Sequence, residues 1–279
     1  MFKKLSKLLV VTLILILGVT GCSSSKQSSN STDDEKKDTI KIGVAGSFQE
    51  YTESLKKDLE DKGYKVEITF FDDSIQPNNA LLEDSIDINF YQHKPFLDNF
   101  NKENGTDLEM LSPQILSLNF GIYSNKYDSI DKIPDGATIA VATDNTNRDR
   151  SLTLLRDLGF ITLKEKEKDT DLYNLMHIDK NLKNIKIKEV DLYQLMKSLD
   201  DVDATCINSI MLAKAGDDPR RALAFSKDSA DFPIGLVVKK ENKDKKRVQD
   251  VLDVYTTKNS ADLQEKLFKG SVSPLFDVK

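Results

Sequence analysis

The sequence predicts an α/β protein whose helices cover both faces of largely parallel sheets. Three observations predict this class: strand-like and helix-like segments alternate from residue 40 onward, the strand-like segments are apolar and β-rich, and glycines follow several helix-like segments. The alternating region of about 240 residues suits two sheets and hence two lobes. Because ligands of such proteins bind at the carboxyl ends of strands, the junctions after strands are candidate sites.

Local signals set the elements of the first half. Apolar residues at Tyr51, Leu55 and Leu59 recur at helical spacing, and Gly63 suits the left-handed position after a helix. Pro95 occupies the favoured first position of another helix. The predicted order is strand 40–44, helix 50–62, strand 66–71, helix 77–82, strand 86–91, helix 95–103 and strand 119–124.

The second half repeats the alternation and ends in two charged amphipathic helices. Gly235 interrupts the apolar run of a late strand, which predicts a bulge or a close backbone approach. The predicted order is strand 138–141, helix 148–158, strand 185–190, helix 192–199, strand 204–207, strand 234–238, and helices at 248–255 and 261–269.

Composition narrows the function classes. The 279-residue chain is 39% hydrophobic and carries a net charge of −6. This composition excludes the collagen-like, disulfide-framework and disordered classes. An acidic chain without a long basic stripe has little with which to displace counterions from a phosphate backbone, which argues against nucleic acid as a partner.

The N-terminus predicts export and lipidation. Residues 1–21 read as a secretory signal peptide, because lysines precede an apolar run that is too short for a membrane span of about 20 residues. Val19 to Cys22 resembles the lipobox of bacterial lipoproteins, so we expect Cys22 to carry fatty acyl chains such as palmitate. An ordinary leader with an incidental cysteine is the alternative. Residues 22–39 then form a polar tether.

The sequence offers no recognised catalytic or metal-binding motif. Its two histidines lack HExxH spacing, and GxSxG, GxxxxGK[ST] and GxGxxG are absent. With Cys22 lipidated, only Cys206 remains, which excludes an intrachain disulfide. Cys206 beside Asn208 is a weak nucleophile candidate, because an isolated apolar-flanked cysteine is more often a packed core residue. We therefore expect neither enzyme activity nor a cofactor or metal.

The first candidate site is the junction DINFYQHKPF, where a predicted strand meets a helix. His93 can donate to or accept from a ligand, and the rings nearby can wall an apolar side chain. These rings are Phe90, Tyr91 and Phe96. The alternative is a core aromatic pair with His93 capping the helix, which the pattern alone slightly favours.

The second and third candidate sites also follow predicted strands. Arg148 and Arg150 fall in the first turn of a predicted helix, where the macrodipole disfavours cations, so we expect a negative partner. For Arg150 a bidentate carboxylate is a natural partner, and a surface pair with a neighbour such as Asp149 is the equal alternative. Asn208 can accept from an ammonium and donate to a carboxylate, although asparagine is also a common turn residue.

Several sequence blocks are recognisable in combination. The most specific are YQHKPFL and DNTNRDR, and the others are IKIGVAGSFQE, SIQPNNALLEDSIDINF, FGIYSNKYDSIDKIPDGATIAVAT, SLDDVDATCIN and KGSVSPLF. In this order, over essentially all of residues 40–279, they resemble the NlpA/MetQ-type lipoproteins, which are the methionine-binding components of methionine ABC importers.

The resemblance implies a two-lobed, periplasmic-binding-protein-like fold of type II with the ligand in the interlobe cleft. We accordingly assign residues 40–124 and 235–279 to one lobe and residues 125–234 to the other. It further implies a monomer, lipid-anchored on the extracytoplasmic face of the cell membrane, that hands its ligand to permease and ATPase subunits. The ligand implied is L-methionine or a close relative, such as the D-form or a methionine-containing dipeptide. The alternatives are a different small amino acid or peptide, or an adhesion or interaction role.

The resemblance also implies roles for single residues. Arg150 falls on the arginine that pairs with the ligand carboxylate, and Asn147 is its neighbouring polar contact. Asn208 falls on an asparagine that bonds the head group of the amino acid. Tyr91 and His93 fall on residues that pack around the thioether chain, with Phe96 beside them.

Three positions depart from the family pattern. Ser74 stands where the family commonly has an aromatic pocket wall, and Phe48 stands in a loop that commonly reads Gly-Pro-His. Ile234 stands where an asparagine precedes the late strand. Loss of a wall and of a polar partner predicts a changed or enlarged ligand, so we count Ser74 among the candidate pocket residues.

Overall fold

A computed structural model describes residues 38–168 and 171–277, in which strands and helices alternate. The strands are β1 (Thr39–Ala45), β2 (Lys65–Phe71), β3 (Ile88–Phe90), β4 (Glu109–Met110), β5 (Leu116–Leu118), β6 (Phe120–Tyr123), β7 (Thr138–Ala142), β8 (Ile161–Leu163), β9 (Ile178–Asn181), β10 (Lys186–Val190), β11 (Ala204–Asn208), β12 (Ala224–Phe225), β13 (Pro233–Ile234), β14 (Val237–Val238) and β15 (Val272–Pro274). The helices are α1 (Gln49–Asp61), α2 (Gln76–Leu82), α3 (Lys94–Asn104), α4 (Asn145–Asp157), α5 (Leu195–Ser198), α6 (Ile210–Lys214), α7 (Lys246–Tyr255) and α8 (Lys258–Phe268). This alternation confirms the predicted α/β class.

The first of two five-stranded sheets has the strand order β2-β1-β3-β14-β4. Strand β1 runs parallel to β2 and β3, with Ile42 opposite both Ile68 and Ile88. Strand β14 is antiparallel to β3 and β4. We call the part of the chain built on this sheet the first lobe.

The second sheet has the strand order β10-β7-β11-β6-β12 and carries what we call the second lobe. Strands β10, β7 and β11 are parallel, whereas β6 is antiparallel to β11 and β12. The expectation of largely parallel sheets therefore holds for the βα units. It fails for β6 and β14, which are antiparallel to the strands beside them.

Strand pairing moves the lobe boundaries away from those expected. Strand β6 pairs with β11, so Phe120–Tyr123 lies in the second lobe and not, as expected, in the first. Strand β13, which contains Ile234, pairs antiparallel with β5 in a three-stranded sheet that also includes β15. The buried apolar residues of this sheet, Ile234 among them, belong to the core of the first lobe, whereas Ile234 was expected in the other lobe. We therefore propose that the chain crosses between the lobes at Asn119 and again within residues 226–232.

Both sheets are covered on both faces, as the sequence predicted. In the first lobe, Ile42 and Val44 pack with Leu55 of α1 in one apolar cluster, while other apolar residues of α2 and α3 form a second cluster. In the second lobe, Leu152 of α4 and Leu195 of α5 belong to two different clusters of the same sheet. Each lobe thus has its own layered core.

Two residues singled out from the sequence have structural roles. A Cβ atom added to Gly235 would lie 2.8 Å from Cγ of Met110, which confirms the predicted close approach. Gly235 lies between β13 and β14, into which the late apolar run divides. Cys206 is fully buried on β11, and burial raises the pKa of its thiol. Cys206 is therefore a core residue.

The expected leader, the lipidated Cys22 and most of the tether lie outside the described residues. Within the described residues, no helix has the length and apolar character needed to cross a membrane.

Candidate ligand-binding site

A small cavity of about 50 Å³ lies where the two lobes meet. The first lobe contributes Ser74, Tyr91, Gln92, His93, Phe96, Leu118 and Ile234 to its lining. The second lobe contributes Asn147, Leu192, Tyr193 and Asn208. Six predicted site residues therefore line one cavity, although they come from distant parts of the chain.

His93 links the two lobes. It precedes α3, and its Nδ1 accepts a hydrogen bond of 3.1 Å from the backbone N–H of Phe96, so the predicted capping role is confirmed. Because Nδ1 is an acceptor, we assign the ring hydrogen to Nε2, which lies 3.2 Å from Oδ1 of Asn147 on α4. One ring thus caps a helix of the first lobe and bonds to the second.

The environment of His93 keeps its ring neutral. Burial lowers the pKa of His93 to about 4, and the positive charge of Arg150 acts in the same direction. The carboxylate of Asp144 and the hydrogen bond to Asn147 only partly oppose this. A neutral ring is the state that the two hydrogen bonds require.

We expect the stability of the protein to fall as the pH is lowered from about 6.5 to about 4. In this range His93 takes up a proton in the unfolded chain but not in the folded one, so acid favours unfolding. The difference in pKa corresponds to about 3 kcal/mol, present in full above about pH 6.5 and lost once the pH reaches about 4. Urea unfolding of the wild type and of His93→Gln across this range measures the effect.

The variant His93→Gln removes the titrating ring and keeps a polar side chain at the start of α3. Its stability should therefore depend less steeply on pH than that of the wild type. Equal slopes for the wild type and His93→Gln would contradict the assignment.

Asn147 is held in place by the start of its own helix. Asp144 caps α4 by accepting a 3.0 Å hydrogen bond from the backbone N–H of Asn147, and its carboxylate also accepts from the Asn147 side-chain amide. The amide nitrogen therefore faces Asp144, which leaves Oδ1 to face His93. A preorganised polar group of this kind can orient a ligand.

Arg150 lies behind the cavity and is fully buried. Its guanidinium is sandwiched between the rings of Phe120 and Phe232, at 4.6 Å and 4.0 Å. Asp228 Oδ1 accepts from both Nε and Nη2, at 3.1 Å and 3.0 Å. Burial lowers the pKa of Arg150, which Asp228 partly offsets. The predicted negative partner of Arg150 is thus, in this structure, a carboxylate of the chain itself.

The sequence argument for Arg150 expected a carboxylate beside it, which Asp228 supplies in this structure, and misplaced Arg150 along its helix. The helix begins at Asn145, three residues before the predicted start, so Arg150 lies in the second turn, where the macrodipole has faded. Asp149 is not its partner, because that carboxylate accepts from Lys166 at 3.0 Å. Arg148 is paired with Glu189 at 2.8 Å.

Asn208 connects Arg150 to the cavity. It is the last residue of β11, lines the cavity, and accepts a long hydrogen bond of 3.4 Å from Nη1 of Arg150. Nε and Nη2 donate to Asp228, and Nη2 also donates to the backbone carbonyl of Leu118 at 3.3 Å, so among the described residues the long bond to Asn208 is the one that Nη1 makes. An anionic group at this end of the cavity would meet Nη1 and the Asn208 amide together.

Phe90 does not line the cavity. It is buried in the core of the first lobe, with ring centroids 4.7 Å from Phe48 and 5.3 Å from Tyr255. Phe48 lies in the same core, so this departure from the family pattern does not face the cavity either. Both faces of the sheet are buried, which is why apolar character alone did not reveal which residues point to the cleft.

Sequence reasoning missed Gln92, Leu118, Leu192 and Tyr193. Gln92 belongs to the recognised block and is hydrogen-bonded to Asn78, with Nε2 at 2.6 Å from Oδ1. Leu192 and Tyr193 follow β10 after the single residue Asp191, so the rule that selected the other strand ends would have found them. Tyr193 lies beside Ser74, so the expected opening of the pocket at Ser74 is filled from the other lobe.

Comparison with known proteins covers both lobes. The NlpA lipoprotein family model matches residues 40–276. The D-methionine-binding lipoprotein MetQ of Escherichia coli is 34% identical over 266 residues, 94% of each chain. A nutrient binding protein of Burkholderia cenocepacia bound to methionine matches with a TM-score of 0.80 at 32% identity, covering 85% of this chain and 100% of that one. The substrate binding protein of a methionine transporter from Streptococcus pneumoniae has a TM-score of 0.78 at 31% identity, covering 85% and 96%. The expected two-lobed binding-protein fold is confirmed by these structures.

Proposed function

The chain belongs to the NlpA lipoprotein family, and on this premise we propose that it is the solute-binding lipoprotein of an ABC importer and that its ligand is methionine. The relatives named above are methionine-binding proteins, and they match nearly the whole chain. The ligand would lie in the interlobe cavity and leave it chemically unchanged.

The observation that carries this proposal is the division of the cavity into an apolar and a polar end. Tyr91, Phe96 and Ile234 supply apolar surface, which suits an unbranched thioether chain. Asn147 and Asn208 supply the polar end, with the charge of Arg150 directly behind. A zwitterionic amino acid with an apolar side chain has the matching distribution.

We propose the following roles for these residues. The ligand carboxylate accepts a hydrogen bond from Nη1 of Arg150 and thereby replaces the long hydrogen bond from Nη1 to Asn208. Asn147 and Asn208 bind the polar head group, since their amides can both donate and accept. The apolar residues and His93 enclose the side chain. The pair with Asp228 keeps Arg150 oriented and limits the cost of its buried charge.

The cavity of about 50 Å³ is smaller than an amino acid, so binding of any ligand requires the two lobes to separate. Tyr193 occupies the side that Ser74 was expected to open. A second residue would require the two lobes to separate further. A methionine-containing dipeptide is therefore an outcome that the experiment below can reveal.

We propose further that lipid chains on Cys22 hold the protein at the extracytoplasmic face of the membrane. Acyl chains stabilise membrane binding by about 0.8 kcal/mol per buried CH₂, so several chains make the anchoring durable. The polar segment after Cys22 would leave the lobes free to reach permease and ATPase subunits as a monomer. The names of the lipoprotein relatives support this part of the proposal.

Identification of the bound molecule tests the function. Mass spectrometry of small molecules released on denaturing the freshly purified protein should recover methionine in a one-to-one ratio. Added L-methionine at 100 times Kd should raise the stability of ligand-free protein by about 2.7 kcal/mol, or roughly 5–11 °C in Tm. Alanine and D-methionine at the same concentrations serve as comparison ligands. No released ligand and no change in Tm with any of them would contradict the proposal.

A further inference from the structure

The cavity is closed on one side by a tyrosine that crosses from the opposite lobe. Tyr193 lies in a short 3₁₀ helix, Leu192–Gln194, that follows β10 of the second lobe. Its ring nevertheless packs against the apolar core of the first lobe, whereas the adjacent Leu192 packs into the second lobe's own core. Two consecutive side chains therefore pack on different lobes, and of these two Tyr193 is the one that bridges the cleft.

Local contacts fix Tyr193 in this position. Asp191 precedes the 3₁₀ helix and accepts a 3.0 Å hydrogen bond from the backbone N–H of Tyr193. Its side chain lines the cavity together with Ser74 of the first lobe. Burial raises the pKa of Tyr193 to about 12, so the phenol stays protonated at neutral pH.

A tyrosine from each lobe lines the cavity beside Ser74. The hydroxyl of Tyr91 donates a 2.8 Å hydrogen bond to the backbone carbonyl of Ser74, and Tyr193 faces the same cavity from the second lobe. Both tyrosines and Ser74 line the cavity. A bulky side chain in place of Ser74 would occupy the space that Tyr193 enters, so the small residue and the crossing ring belong together.

We propose that Tyr193 is a specificity-determining residue that closes, from the second lobe, the end of the cavity that holds the ligand side chain. The protein then discriminates between ligands by side-chain length only when the two lobes meet. This inference rests on the proposed function. Because the ring belongs to the lobe opposite Tyr91 and Phe96, it completes the wall only in the closed arrangement. A ligand that fits against Tyr193 therefore stabilises closure, and a longer one opposes it.

The test compares L-methionine with L-ethionine, which is longer by one methylene group, on the purified full-length protein. The wild type should prefer methionine by about tenfold or more, as pockets that exclude one methylene do. Tyr193→Ala should bind methionine about tenfold more weakly and retain a preference of only about threefold or less. The loss should appear in the dissociation rate, with association changed less than about twofold, because Tyr193 contacts the ligand after encounter.

Further variants separate the ring from its hydroxyl group and from folding. Tyr193→Phe keeps the ring, so its affinity for methionine should stay within about threefold of the wild type and its preference for methionine should be kept. Tyr193→Leu, a milder truncation, should also lower the preference if Tyr193→Ala does not fold. Tyr173→Ala is the matched control, because that ring packs on His177 of the second lobe away from the cavity.

The outcomes distinguish this inference from the proposed function. The wild type could bind methionine while Tyr193→Ala and Tyr193→Leu keep its affinity and its preference. That result would overturn the inference and leave the proposed function intact. An equal loss for both ligands in these variants would also overturn it, because a purely structural role does not change the preference. A wild type that binds neither ligand would overturn both proposals.

Discussion

Replacing Arg150 with alanine should weaken methionine binding by about 2–5 kcal/mol, which is roughly thirty- to several-thousand-fold in Kd. The substitution removes the only cation placed behind the polar end of the cavity by the described residues, so the ligand carboxylate would be desolvated without a partner. It also leaves Asp228 without its guanidinium, so Tm should fall as well. Calorimetric titration and thermal unfolding of the same samples measure the two effects.

Two further variants isolate the effect of Arg150 on binding. Arg148→Ala removes an arginine of the same helix that pairs with Glu189 and lies outside the cavity, so affinity should stay within about twofold. Combining Arg150→Ala with Asp228→Ala removes both charges, which should recover part of the stability but none of the affinity. Near-native affinity in Arg150→Ala would refute the assignment of the carboxylate site.

Replacing Phe90 with alanine should lower the free energy of unfolding by about 3–5 kcal/mol and leave the affinity of the folded protein unchanged. Phe90 is fully buried against Phe48 and Tyr255 in the core of the first lobe, so its loss creates a cavity that the rigid sheet cannot fill. Chemical unfolding gives the stability, and titration below the unfolding transition gives the affinity.

Two phenylalanines serve as controls for this result. Phe96→Ala removes a ring that lines the cavity, so it should reduce ligand affinity. Phe70 is 42% exposed on β2, and Phe70→Ala should change stability by only about 0.5 kcal/mol. A loss of affinity in Phe90→Ala as large as in Phe96→Ala would show that Phe90 contacts the ligand after all.

Periodicity and end signals in the sequence were sufficient for most elements. Helix α1 lies within one residue of its predicted bounds, because a regular apolar repeat and Gly63 define it locally. The start of α4 was missed by three residues, because Asp144 caps a polar first turn that carries no apolar signal. That error moved Arg150 into the wrong turn and weakened the reasoning about its charge.

Long-range pairing was beyond local signals. The apolar run at Phe120–Tyr123 suits any buried strand, so nothing in it indicates that it joins the second sheet. The partner of Arg150 lies 78 residues away in the chain, and the wrong neighbour, Asp149, was adjacent. Tyr193 and Ser74, which line the same cavity, likewise come from different lobes.

The sequence by itself determined the α/β class, the strand-end location of the site, six residues that line the cavity and the family. These properties depend on residue type and spacing, which are local. Only the tertiary structure decided that Asp228 holds Arg150, that Phe90 points into the core and that Tyr193 closes the cavity from the second lobe. These depend on which surfaces meet when two lobes fold together, because side chains buried on either face of a covered sheet look the same in sequence.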